Sequence, residues 1–395
     1  MLVLRLILIP LDKANISKLS TMGSTNLEVR WCSNCLTMST RPRITFDDRG
    51  FCNACRWQEQ KKLIDWEKRE KELAALLNKH RSTNGDYDCL VPVSGGKDGS
   101  YVAYNLQEKY GMHPLCVTVT PALPTGLGEQ NLRSFVESGF SHISVNPDSG
   151  AMKKLNKAGF TKVGFPYYGW LIAIMSVPLQ VALNFGIQLI FYGEDGEVEY
   201  GGSNETQHEP IYDMSYQRRV YLEGGYNKVL AEFDLEDSSM NFFRFPEEKK
   251  FSEGNQKLTH WSYFENWDPY RNYLVAKEHC GLMEASESNS GTFTNFAQND
   301  QDLYALHTYL MYLKFGFGRA NQDACIEVRR GAMDRSQALN LVRMYDGIYP
   351  SELIDLYLDY YQMTIYEFEE ALDRFANKDL FEKVKGRWTP NFNIV

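Results

Sequence analysis

The stretch that most constrains the chain is Tyr87-Asp-Cys-Leu-Val-Pro-Val-Ser-Gly-Gly-Lys-Asp-Gly-Ser-Tyr-Val-Ala103. The apolar run Cys89 to Val93 is too short for a helix and suits a strand covered on both faces, while Tyr101, Val102, Ala103 and Leu106 resume a helical pattern. Between them, Ser94, Gly95 and Gly96 remove side-chain bulk where backbone N–H groups must approach an anion at a helix N-terminus. Lys97 adds a mobile positive charge, and Asp98 is a candidate ligand for a magnesium ion bridging phosphate oxygens. The string is neither GxxxxGK[ST] nor GxGxxG. The alternative is a glycine-rich strand-to-helix turn with no ligand.

A chain of 395 residues has mass for two or more units and a large core. Its net charge of −9 argues against a broad nucleic-acid or anionic-membrane footprint, while leaving room for a local basic pocket. No apolar run approaches the ~20 residues that span a bilayer. Leu2 to Leu11 is short, carries Arg5 and lacks a small-residue cleavage site before Asp12–Ser24. It reads as a poorly ordered extension (1–24) or an upstream start with Met22 as initiator; a signal peptide is the alternative. The expected compartment is the cytoplasm.

Cysteine spacing is the second constraint. Cys32-Ser-Asn-Cys35 and Cys52-Asn-Ala-Cys55 are separated by sixteen residues, and two such thiolate pairs complete a tetrahedral zinc site. With all four positions filled by sulfur, the metal is expected to be structural. Disulfides are the alternative, and suit a reducing cytoplasm poorly. Cys89, Cys116, Cys280 and Cys325 read as buried small hydrophobes.

Taken in order, residues 25–60 form a zinc-binding module and 61–85 a connecting helix, the charged run Gln58 to Arg81 showing an amphipathic pattern. Strand-like runs at Pro114–Thr120, His142–Val145 and Gln188–Tyr192 alternate with helical ones at Glu129–Ser138 and Leu171–Phe185. That alternation predicts an α/β fold with a doubly wound parallel sheet over residues 86–255, its ligand beyond the carboxyl ends of the strands. Asn204 to Gln256 reads as an excursion from the sheet, and 256–395 as a mostly helical region contributing to the site.

Three further stretches carry chemistry. In Tyr192-Gly-Glu-Asp-Gly-Glu-Val-Glu-Tyr-Gly-Gly202, Glu194, Asp195, Glu197 and Glu199 put four carboxylates into six residues at a strand end. Glu194 and Glu199 are candidates for metal binding or for orienting a nucleophile; Asp195 and Glu197 read as a solvated acidic loop. Thr259 to Tyr273 is rich in aromatics, suited to core packing or to stacking on a sugar or base. Lys314-Phe-Gly-Phe-Gly-Arg319, with Asp323 and Glu327-Val-Arg-Arg330, sets basic groups among glycines, a pattern that suits phosphate.

The Ser94-Gly-Gly-Lys-Asp string resembles the PP-loop of ATP pyrophosphatases, with the departure that Gly99 intervenes before Ser100. Together with Cys32/Cys35/Cys52/Cys55, Tyr192-Gly-Glu, Glu-Tyr-Gly and Lys-Phe-Gly-Phe-Gly-Arg319, it resembles the N-acetyl sugar amidotransferases of surface-polysaccharide and nonulosonic-acid pathways, over roughly Trp31 to Gly331. The resemblance implies the PP-loop type of sheet and an ATP-dependent conversion of a sugar acetamido group to an acetamidino group, releasing AMP and pyrophosphate. Ammonia would come from a separate glutaminase, sometimes with a cyclase-like companion. On that reading Ser94, Gly95, Gly96, Lys97, Gly99 and Ser100 bind ATP and its pyrophosphate, and Asp98 binds magnesium. Glu194 and Glu199 handle metal or ammonia, and Lys314, Arg319 and Arg329 are candidates for phosphate or substrate anions. The rivals are a tRNA-thiolating PP-loop enzyme, which calls for a basic RNA face, and a non-enzymatic nucleotide-binding zinc scaffold.

Overall fold

The computed structural model describes residues 29–222, 225–234 and 237–395, so the N-terminal extension lies outside the described residues. Its centre is a five-stranded parallel sheet in the order β3-β2-β1-β4-β5: β1 Cys89–Pro92, β2 Pro114–Val119, β3 His142–Val145, β4 Leu189–Tyr192 and β5 Lys257–His260. Alternate side chains feed two separate cores, as the two-residue period of a strand requires. Leu90, Leu115, Val117, Ile190 and Tyr192 face one core; Cys89, Val91, Cys116, Leu189 and Phe191 face the other. Burial on both faces is why these strands read as unbroken apolar runs. Among the described residues no helix is long and apolar enough to cross a membrane.

The helices of the first half are α1 Asn53–Lys61, α2 Trp66–His80, α3 Lys97–Tyr104, α4 Gly126–Glu137, α5 Ser149–Val163, α6 Tyr168–Asn184 and the single turn α7 Gly196–Tyr200. The longer helices of the second half are α8 Pro269–His279, α9 Leu303–Phe315, α10 Arg319–Arg330, α11 Arg335–Tyr345, α12 Ile354–Tyr361 and α13 Ile365–Phe375. Leu73 and Leu77 of α2, Tyr101 and Val102 of α3 and Phe135 of α4 cover one face of the sheet; α5, α6, α9, α12 and α13 cover the other. Thr364 opens α13 with a capping box, Glu367 reaching back to its backbone N–H.

The structure departs from the sequence reading in three places. The charged run expected as one connecting helix is two, because Asp65 accepts from the Lys68 N–H and caps a fresh start at α2. Strand β5 has no counterpart in the sequence reading: it begins two residues before the aromatic stretch and runs into it, and Trp261, Phe264 and Trp267 take the core-packing use that stretch allowed. The end of the chain is an antiparallel hairpin, Phe381–Val384 with Arg387–Pro390 (β6 and β7), where helix was expected.

The cysteine module is built into the body. Cys32, Cys35, Cys52 and Cys55 share a core with Ala324 and Cys325 of α10 and with Ala338 and Val342 of α11. Asn321 of α10 donates to the Leu36 carbonyl at 2.9 Å.

Glycines set the approach of β1 to α3. Gly95 has φ +76°, and a Cβ there would lie 2.4 Å from the backbone nitrogen of Leu132 in α4. A Cβ on Gly99 would lie 2.9 Å from the Pro92 carbonyl. The intervening Gly99 therefore has a structural cause: it lets the first turn of α3 lie directly on the strand it follows. Gly95→Ala is expected to cost roughly 2–4 kcal/mol, combining positive-φ strain with a backbone clash. Chemical denaturation checks this, and a loss below about 0.5 kcal/mol would mean the loop relaxes freely.

Candidate active site

Strand order fixes where a ligand can enter. From β1 the chain crosses to β2 on one side, whereas β4 pairs on the other, so the crossovers diverge at the carboxyl ends of β1 and β4. A cavity of about 120 Å³ opens there. Pro92 to Ser94 and Gly96 to Gly99 form one wall, and Gly193 and Glu194, just after β4, a second. Val117, Val119, Trp170, Ile174 and Pro178 supply an apolar floor; Asn299, Asp300, Tyr304 and Arg319 close the far side.

The charged groups at its centre are buried. Lys97 pairs with Asp98, whose other oxygen accepts from Asn272 Nδ2 at 3.2 Å. Burial opposes ionisation of Asp98, but the Lys97 ammonium and the Asn272 amide outweigh it and hold its pKa below the ordinary value. Glu194 is 2% exposed, and its Oε2 has no partner among the described residues. Burial first, and then the Asp98 charge, push its carboxyl up to about 7. Gly193 permits this meeting, since a Cβ there would press on Trp267 at 3.0 Å.

Across the cavity Arg319 opens α10. Its Nε donates to Asp323 Oδ1 at 2.7 Å, and Asp323 is steadied by the Thr292 hydroxyl at 2.6 Å. The Arg319 Nη1 is buried with no partner among the described residues, as is the Tyr167 hydroxyl on the same cavity. Two orphaned donors near Asp300 and Tyr304, themselves hydrogen-bonded at 3.3 Å, make a second polar subsite opposite the glycine loop. A buried unpaired donor costs on the order of 1–3 kcal/mol, which a ligand carbonyl or hydroxyl would recover.

The remaining residues singled out from sequence lie elsewhere. Ser100 is fully buried and does not line the cavity, and its hydroxyl has no partner among the described residues. Glu199 faces away, accepting from Trp57 Nε1 at 2.9 Å and Lys61 Nζ at 2.6 Å. Asp195 and Glu197 are buried, not solvated: Asp195 caps α7 and contacts Thr206, and Arg43 grips Glu197 through two bonds of 2.9 and 3.0 Å. Lys314 donates to the Val163 carbonyl at 3.0 Å, with burial lowering its pKa to about 7. Arg329 donates to Cys35 Sγ at 3.5 Å. Sequence reasoning missed Tyr167, Asn131, Gln298, Asp300 and Tyr304; the run from Gly291 leads to the last three, and nothing in the sequence pointed to Tyr167 or Asn131.

The four cysteine sulfurs lie within 4.8 Å of one another, with Cys32–Cys55 at 3.8 Å and Cys35–Cys52 at 3.6 Å. Sulfurs bound tetrahedrally at about 2.3 Å stand about 3.8 Å apart, so the cluster has the dimensions of a metal site. N–H donors from Cys52, Asn34 and Arg329 point at its sulfurs, the pattern expected around thiolate ligands.

Fold and site together define an α/β protein with a glycine loop and a buried carboxylate at a sheet-end crevice, joined to a four-cysteine module able to hold a metal ion. Residues 290–393, which include Asp300, Tyr304 and Arg319, match the family model described as "LPS biosynthesis protein WbpG-like, C-terminal domain". An 89-residue stretch, 22% of the chain, is 34% identical to "Uncharacterized protein MJ1599" of Methanocaldococcus jannaschii. The chain spans about a third of that curated relative, 32% of its length.

Glu194 provides a test of the cavity's electrostatics. Its folded pKa of about 7 exceeds the ordinary 4.5, so the unfolded chain releases this proton first. Stability is therefore lost progressively as pH rises from about 4.5 to about 7, and the full cost persists above that range. Without magnesium or nucleotide, Glu194→Gln should be more stable than wild type by roughly 3 kcal/mol at about pH 8 and indistinguishable near pH 4.5. Denaturation at the two pH values checks this; equal stability at the higher pH would show that the carboxylate is partnered.

Proposed function

We propose that this chain is an ATP-dependent, AMP-forming amidotransferase that converts the acetamido group of an N-acetylated sugar to an acetamidino group, in lipopolysaccharide or related surface-sugar biosynthesis. The observation that carries this is one cavity presenting an anion loop with Lys97 and Asp98, an unpartnered carboxylate at Glu194, and unpartnered donors on Arg319 and Tyr167. The match of residues 290–393 to a lipopolysaccharide-biosynthesis family model supports the sugar pathway.

An acetamido carbonyl is a poor electrophile, and its oxygen must first become a leaving group. In the proposed reaction that oxygen attacks the α-phosphorus of ATP and the bond to pyrophosphate breaks, giving an adenylated imidate. Ammonia adds to the imidate carbon, a proton passes to Glu194, and the carbon–oxygen bond breaks to release AMP. The loop amides and Lys97 hold the leaving pyrophosphate. Arg319 and Tyr167 hold the sugar by its oxygens, and the apolar floor keeps water from the imidate. Asp98, beside the loop, would be the carboxylate for a hard cation, and magnesium held there would neutralise the triphosphate while Glu194 stays open to take the proton. The four-cysteine cluster suits structural zinc. The ammonia donor is proposed to be a separate glutaminase subunit, with or without a cyclase-like companion, as the resemblance implies. The net charge of −9 disfavours the tRNA-thiolating alternative.

Pyrophosphate release tests the reading. With ATP, magnesium and ammonium, an N-acetylated sugar should elicit equimolar AMP and pyrophosphate, and Lys97→Ala should lower the rate at least about 100-fold with the fold intact. Pyrophosphate that appears only with tRNA, or equally with no acceptor, would overturn it.

A further inference from the structure

Glu199 is turned away from the cavity, and its partners show what it does instead. Helix α7 follows Glu194 directly, and each of its buried carboxylates is held by the cysteine module. Glu199 takes the Trp57 indole and the Lys61 ammonium from α1, the helix whose first turn carries Cys55. Glu197 takes Arg43 from the loop between the two cysteine pairs. Asn53, next to Cys52, donates to the Gly201 carbonyl at 2.8 Å, and a Cβ on Gly201 would lie 2.9 Å from Asn53 Oδ1. The opposite side of the module grips α10: Asn321 donates to the Leu36 carbonyl, Arg329 to Cys35 Sγ, and the Cys325 thiol to the Cys35 carbonyl. Arg319, the first residue of α10, lines the cavity. The module thus stands behind two cavity walls and holds both.

We propose that the four-cysteine module is a positioning device for the cavity, with Lys61–Glu199 and Arg43–Glu197 as the links that set Glu194, so that occupancy of the metal site fixes the geometry of residues 193–202. The glycine loop is held separately, by β1 and α4, and lies outside this coupling. An ordered cysteine cluster orients α1 and the 36–52 loop; without it the two links lose their anchor, while the sheet keeps its own cores. The proposal adds to the functional reading above and is decided without it.

Hydrogen exchange on full-length protein carrying one zinc per chain is the test. Removing the zinc with a chelator should speed exchange of residues 193–202 by at least about 10-fold while β1, β2 and β3 keep their protection. The double variant Lys61→Met/Glu199→Gln, which leaves no unpaired charge, should do the same with its zinc retained, whereas Lys61→Arg alone, with Glu199 in place, should keep wild-type protection. Where turnover is measured, the double variant should lower kcat and leave the KM for ATP unchanged. Unaltered exchange at 193–202 in either arm, or loss of the sheet together with that segment on zinc removal, would overturn the proposal. Absence of turnover in wild-type protein would instead count against the reaction proposed above, leaving the exchange result to stand by itself.

Discussion

Everything at the site depends on how closely a helix N-terminus can approach the strand before it. Parallel strands buried on both faces must end in a loop, and at β1 that loop has almost no side-chain volume. Gly95 slips under α4, Gly96 opens α3, and Gly99 lies against the Pro92 carbonyl. The outcome is a set of N–H groups facing a crevice at the carboxyl end of the sheet, with Lys97 and Asp98 as the first helical side chains. A side chain at Gly95 would collide with the backbone of α4, and one at Gly99 with the Pro92 carbonyl.

The crevice is electrostatically unfinished. Lys97 and Asp98 satisfy each other, Glu194 has a free oxygen and a raised pKa, and Arg319 has spent one edge of its guanidinium on Asp323. Burying such groups incompletely paired costs stability, which the two large apolar cores offset. The cysteine module grips α7 and α10 on either side of it.

What was legible in the sequence was local. The glycine loop and the cysteine pairs are contiguous strings whose chemistry survives without knowing the fold, and the strands announce themselves because burial on both faces makes each an apolar run. What was not legible depends on rotation and assembly. Glu194 and Glu199 look equivalent in the string, yet the single turn of α7 sends one into the cavity and the other to Lys61. Asp195 and Glu197 look solvated because nothing nearby announces Arg43 or Thr206 as partners. Lys314 and Arg329 sit in the same basic stretch as Arg319, but their helix faces turn them to Val163 and to the cysteines. Tyr167 meets Asp300 and Tyr304 from a distant segment, and no spacing rule links it to them.

The proposed reaction brings an amide oxygen to the α-phosphorus of ATP in one cavity. Its most direct measurement is the fate of that oxygen. An N-acetylated sugar labelled with heavy oxygen in its acetamido group, turned over with ATP, magnesium and ammonium, should yield AMP carrying the label and a sugar in which NH has replaced the oxygen. Label retained in the sugar, or AMP formed without it, would contradict the account.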